Sequence, residues 1–252
     1  MRIGSSMGSY NTTIMPNKEP ETELSREFDR QVGNLIQRGY PKAAGVTAEE
    51  FTKHIKPRRN RVRELPTRVI QAKEGSIPFV IVVKRDLVPK DMAMPLIELE
   101  GTKGNVGMHP VDPTSFEPIE GLQIPNGKAY LLVDIDTGKG TLNVTPDDAL
   151  KIIESENRSP LTIDEGVAVI THHPEILKNE NCFSLLGSRR GDRRVTALWI
   201  SGGKPRLGWL LGRQSAHVVG LGLLQLYSWT STLGFLGKTL SVSSNRLVAF
   251  EV

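Results

Sequence analysis

Side chains with chemistry of their own are few in this chain and gather in its second half. His172 and His173 stand together, with Glu175 close behind. Histidine titrates near neutrality and its neutral ring ligates transition metals, so the group invites an acid–base or metal-binding reading. Neighbours on a helix point about 100° apart. Two adjacent imidazoles therefore face one metal only where the chain leaves helical geometry, as Pro174 asks of the residue before it. The plainer alternative is a pair of histidines that close a helix by meeting its terminal carbonyls. Cys182 follows further along. It becomes a nucleophile if an imidazole lowers its pKa; at the start of an apolar strand it is otherwise a small hydrophobe. His172, His173 and Cys182 are thus the catalytic candidates. Asp134 and Asp136 flank Ile135 and share one face of a strand, offering oxygens to a divalent cation or capping the strand end through an Asx-type turn.

The stretch GSRRGDRR, Gly187 to Arg194, concentrates guanidinium groups around a single carboxylate. Such a loop suits bidentate capture of a phosphate or carboxylate, with Ser188, Arg189, Asp192, Arg193 and Arg194 as the ligand contacts. Equally, Asp192 could neutralise its arginine neighbours and leave a salt-bridged hairpin. A second basic run, Lys56, Arg58, Arg59, Arg61, Arg63 and Arg68, lacks interleaved aromatics and any nucleic-acid-binding motif, and reads as a solvated connector. No GxxxxGK[ST] and no GxGxxG after a strand occurs, and the GxSxG match at Gly4 to Gly8 stands in the aperiodic start and not between a strand and a helix, so nucleotide hydrolysis, dinucleotide binding and α/β-hydrolase chemistry have no support, and no cofactor is named. The partner implied is a small anion; the oligomeric state stays open.

The elements that must position these residues are legible from period and caps. Leu24, Phe28, Val32, Leu35 and Ile36 recur at helical spacing, and Gly39 closes the helix. Thr47 with Glu50, and Thr162 with Glu165, form capping boxes. Thr145, Pro146, Asp147 and Asp148 make a third helix start. Residues 77–83 (IPFVIVV) and 129–135 (AYLLVDI) are short, β-branched or apolar runs that read as buried strands. Residues 182–186 and 195–200 read as strands around the basic loop, GGKP at 202–205 as a hairpin turn, and PLIEL at 95–99 as a further strand. Strands and helices are segregated, which implies a single α+β domain with a mostly antiparallel or mixed sheet and helices on one side. The strands near 77, 129, 182 and 195 are expected to join in one sheet, bringing the basic hairpin beside the imidazoles.

Of 252 residues, 38% are hydrophobic and 24% charged, enough for a real core with flexible segments. One cysteine excludes an internal disulfide framework, which together with the lack of a secretory start implies a cytoplasmic protein. Before residue 209 no run approaches the ~18 apolar residues of a membrane span. Residues 1–20 carry no period and read as a disordered tail.

The stretches AYLLVDIDTGKGTLNVTPDDAL, RSPLTIDEGVAVITHHPEIL, NCFSLLGSRRGDRRVTALWIS and PRLGW, with RQVGNLIQRGYP near the start, resemble an actinobacterial family of unknown function over about residues 28–209. The resemblance implies a cytosolic single domain over 21–209 and carries no activity, cofactor or catalytic residue with it. After Trp209 the family ends in CWAGNPHTWLGSASC, whereas this chain reads LLGRQSAHVVGLGLLQ. Plausible codons for this stretch, shifted by one base, translate to the family ending. Residues 210–252 are accordingly expected to be an out-of-frame tail, holding as charges only Arg213, Lys238, Arg246 and Glu251.

Overall fold

The structure, a computed structural model, describes residues 22–66, 69, 75–141, 144–179, 182–211, 219–221 and 223–224. The expected N-terminal tail, Arg68 and nearly all of the expected out-of-frame tail lie outside the described residues.

Thr22 opens helix α1 (Glu23–Gln37), its hydroxyl accepting from the Ser25 amide at 3.2 Å. Phe28 and Leu35 are buried on its inner face while Ile36 turns to water. Gly39, at φ 88°, ends it where an L side chain would be strained. Two short helices follow, α2 (Tyr40–Ala43) and α3 (Ala48–Lys53), and α3 starts on the expected capping box with both halves formed. The basic connector then winds through two 3₁₀ turns. Its guanidiniums find partners: Arg59 holds Asp29 at 2.6 Å and Arg61 holds Glu64 at 3.0 Å.

Strand β1 (Ser76–Val83) leads to helix α4 (Lys90–Ala93). The expected strand at 95–99 is replaced: Met94–Leu96 forms a 3₁₀ turn, and only β2 (Glu98–Leu99) is extended, paired with β3 (Thr102–Lys103). The proline in that run favours a tight turn over a ladder that needs its missing N–H. Strands β4 (Asn105–Val106), β5 (Glu117–Pro118) and β6 (Ala129–Asp136) follow, then helix α5 (Pro146–Ser155), β7 (Ser159–Pro160) and helix α6 (Ile163–His172). The remainder is β8 (Cys182–Leu185), β9 (Ser188–Arg189), β10 (Arg194–Ser201), β11 (Lys204–Leu211), β12 (Val219–Leu221) and β13 (Leu223–Leu224). Between β10 and β11, Gly202 and Gly203 take φ 58° and 74°, the left-handed pair that a two-residue hairpin turn of this twist demands.

The architecture is α+β, with antiparallel and mixed sheets. The strands do not form one sheet as expected. β1 and β6 belong to a four-stranded sheet ordered β1-β6-β13-β7, whereas β8 and β10 belong to a five-stranded sheet ordered β12-β8-β10-β11-β4. Both edges of β10 are taken by hairpin or near neighbours, β8 and β11, so no edge is left for the first pair to join. Helix α6 unites the two. It is buried almost all round, as a helix apolar on every side must be. Val167, Ala168 and Thr171 face Ile81 and Val83 of β1, and Gly166, Val169 and Ile170 face Phe183, Leu185 and Leu198 of the other sheet. One contiguous hydrophobic core spans both sheets and α1.

Candidate functional site

Helix α6 places both groups of residues singled out from the sequence, and it places them at opposite ends. At its start the capping box is buried. Glu165 accepts from the Thr162 amide at 2.7 Å, from the Thr162 hydroxyl at 2.9 Å and from the Tyr130 hydroxyl at 2.9 Å. Burial nonetheless pushes the Glu165 carboxyl above its ordinary pKa. The basic hairpin docks here: Ser188 Oγ accepts from the Ile163 amide at 3.0 Å, and the Gly187 amide donates to Leu161 at 2.8 Å. A side chain at Gly187 would sit 2.6 Å from the Pro160 carbonyl, so only glycine lets the hairpin come this close.

His172 is at the other end, about 14 Å along the helix axis at 1.5 Å per residue. The expected meeting of imidazoles and arginine loop therefore does not occur, because one rigid helix separates them. His172 is 4% exposed, with Nε2 3.2 Å from the Ile81 carbonyl and Nδ1 3.3 Å from the Asn34 amide. A carbonyl only accepts, so Nε2 carries the proton and Nδ1 receives one from Asn34. Burial pushes the imidazole pKa down to about 3, so the ring is neutral and occupied with structure. His173 caps α6 and points its Nδ1 at the exposed Glu175 from 3.3 Å.

Cys182 does not join them. Phe183 and Leu185 face α6, so the alternation of a strand turns Cys182 and Ser184 to the opposite face. Burial raises the thiol to about 12, which removes thiolate character at neutral pH. Asp136 is occupied as an Asx cap, accepting from the Gly138 amide at 2.7 Å, and Asp134 takes φ 55°. Among the described residues no cluster of three or more His, Cys, Asp or Glu is placed to hold a metal.

In the hairpin, Asp192 contacts Arg194 at 2.5 Å and Arg190 at 3.2 Å, and Arg194 stacks 4.7 Å over the Trp209 ring. Arg189 reaches Asp147 at 3.7 Å. Most of the charge in this loop is therefore balanced within the chain, and Arg193 alone of the candidate arginines is without a side-chain partner among the described residues.

Two features escaped sequence reasoning. The first is Lys90, buried at 5% exposure with its amine 3.1 Å from the Pro113 carbonyl. Burial, then the Arg85 charge, pushes its pKa down to about 8. Arg85 is itself tied to Asp164 at 3.4 Å and Glu117 at 3.5 Å. The cavity beside Lys90 measures about 10 Å³, room for a single water and no larger ligand.

The second is a polar groove of about 470 Å³, the size of small-molecule sites. Helix α1 supplies Asn34, Gln37 and Arg38 as one wall, and the β2–β3 hairpin supplies Glu98, Glu100, Gly101 and Lys103 as the other. Arg38 is held in place, Nε donating to Asn34 Oδ1 at 2.9 Å and Nη1 to the Leu96 carbonyl at 3.1 Å. Asn34 in turn donates to the Thr171 carbonyl at 2.9 Å beside its contact to His172. The hairpin turns on Glu100 and Gly101, at φ 50° and 78°. Among the described residues the side chains of Glu98, Glu100 and Lys103 have no hydrogen-bond or ion-pair partner. No local motif announces this groove, since its walls lie some sixty residues apart in sequence.

Fold and groove together define an α+β protein carrying an open, charged cleft between a helix and a hairpin. The chain belongs to a family of unknown function, DUF5701, whose model matches residues 34–222 and so runs on past Trp209. No curated protein matches it, and no solved structure does. No described helix is long and apolar enough to cross a membrane.

Proposed function

We propose that the protein is a binding module that grips a small ligand by its anionic group in the groove between α1 and the β2–β3 hairpin. The observation that carries this reading is the pairing of an oriented guanidinium, Arg38, with an ion-pair-free ammonium, Lys103, across a cleft of about 470 Å³. Guanidinium bound on two sides loses little further entropy when it meets an oxyanion. A second place for an anion is the hairpin of Ser188, Arg189, Asp192, Arg193 and Arg194, favoured by the exposed Arg193. Thermal denaturation against a panel of phosphate, citrate and nucleotides separates the two. At a ligand concentration about 100 times Kd the gain is about 2.7 kcal/mol, a rise of about 5 °C for a chain of this size. Lys103→Ala should abolish the rise and Arg193→Ala should leave it. A rise lost in R193A but kept in K103A moves the site to the hairpin, and a flat panel overturns both.

The single cysteine fits a reducing compartment, and we place the module in the cytoplasm of an actinobacterium. We also hold that residues 210–252 are read out of frame, supported by the plausible codons that regenerate the family ending when shifted by one base; the family match that continues to residue 222 counts against it. In that case this copy lacks its native last segment. Resequencing the gene decides it: an intact frame with no base to remove after the Trp209 codon ends the idea.

A further inference from the structure

We infer that the ligand of the groove is a zwitterion, of the class of short peptides with both termini ionised. This rests on the reading of Arg38 and Lys103 as the anion's partners and adds a second charge to the ligand. The two walls are unlike. The α1 wall carries one charge, the Arg38 cation, with the neutral amides of Asn34 and Gln37. The hairpin wall carries Glu98 and Glu100 against Lys103, so it is net negative. A plain anion drawn to Arg38 would face two carboxylates across the cleft. A molecule with a carboxylate at one end and an ammonium at the other satisfies both walls.

The hairpin itself supplies a second observation. Glu98 and Lys103 are directly opposed in its register. Opposite charges so placed stand close enough on one face to pair with each other. They do not pair, and Glu100 at the turn also has no partner among the described residues. Both carboxylates therefore stay available at the groove. Its volume, about 470 Å³, lies within the range of sites that take small molecules.

Calorimetric titration of the full chain with trialanine, N-acetyl-trialanine, trialanine amide and inorganic phosphate tests the inference. Trialanine should bind, and blocking either terminus should weaken binding by about tenfold, the size of one charge-assisted hydrogen bond. In the double variant Glu98→Gln, Glu100→Gln, free and acetylated peptide should bind alike; both positions are exposed, so the fold is kept. If the acetylated peptide binds wild type as tightly as the free one, the ligand's cation is irrelevant; the zwitterion inference falls and the anion reading stands. Phosphate binding without any peptide binding likewise removes the zwitterion and keeps the anion. If the amide binds as tightly as trialanine, or nothing binds, both fall.

Discussion

Replacing Gln31 with leucine is expected to cost about 3–5 kcal/mol, from two buried polar backbone groups left without partners at about 1–3 kcal/mol each plus the lost contact to Glu27. β1 is the outer strand of its sheet, so the backbone groups of Phe79 and Ile81 that point away from β6 have no neighbouring strand. Gln31, with no exposed surface, completes them with a side-chain amide that imitates a strand. Its Nε2 donates to the Phe79 carbonyl at 3.0 Å and its Oε1 accepts from the Ile81 amide at 2.8 Å. His172 takes the remaining Ile81 carbonyl at 3.2 Å. Leucine has nearly the same volume, so the loss isolates the hydrogen bonds from packing. Urea titration should show a lower midpoint with an unchanged slope. A loss below about 1 kcal/mol would mean that water replaces the amide, and the edge would not need its cap.

The second large effect is on acid stability. An unfolded histidine titrates near 6.5, whereas burial holds His172 to about 3 in the folded protein. Above pH 6.5 the ring is neutral in both states and contributes no pH dependence. As pH falls from 6.5 toward 3, the unfolded chain takes up a proton that the folded chain refuses. Stability therefore drops by roughly 1.4 kcal/mol per pH unit across that window. Carboxylates held low, such as Asp29 by its hydrogen bonds from Arg59 and Glu50 by the Thr47 amide, add their own loss only below their unfolded values near 4. Between pH 6.5 and about 5 the imidazole lowers stability as pH falls, while Glu165, whose carboxyl pKa is raised by burial, protonates first in the folded chain and acts in the opposite sense. Equilibrium unfolding across that interval should lose stability with falling pH in wild type and lose less or none in His172→Gln, whose amide can still donate to Ile81 and accept from Asn34. An unchanged slope in that variant would assign the titration elsewhere.

Both effects arise from residues whose role no local pattern betrays. The capping boxes at Thr47 and Thr162 were legible because a hydroxyl and a carboxylate three residues apart do their work within one turn. β1 and β6 were legible because apolar, β-branched runs of that length bury as strands. The Gly202–Gly203 turn was legible because few residues accept two successive positive φ angles. By contrast, Gln31 reads as one more polar residue on an amphipathic helix, and Lys90 as a surface lysine, until β1 and the 112–118 segment close over them.

What the chain alone determined is local: where helices start and stop, which runs extend, and which side chains are able to ionise. Tertiary structure decided the partition into two sheets, the choice of His172 as an edge cap, and the distance between that imidazole and the basic hairpin. It also assembled the groove, joining Arg38 to a hairpin far along the chain. The physical reason is that caps and turns are satisfied within a few residues, whereas strand order, desolvation and charge balance depend on neighbours that only folding brings near.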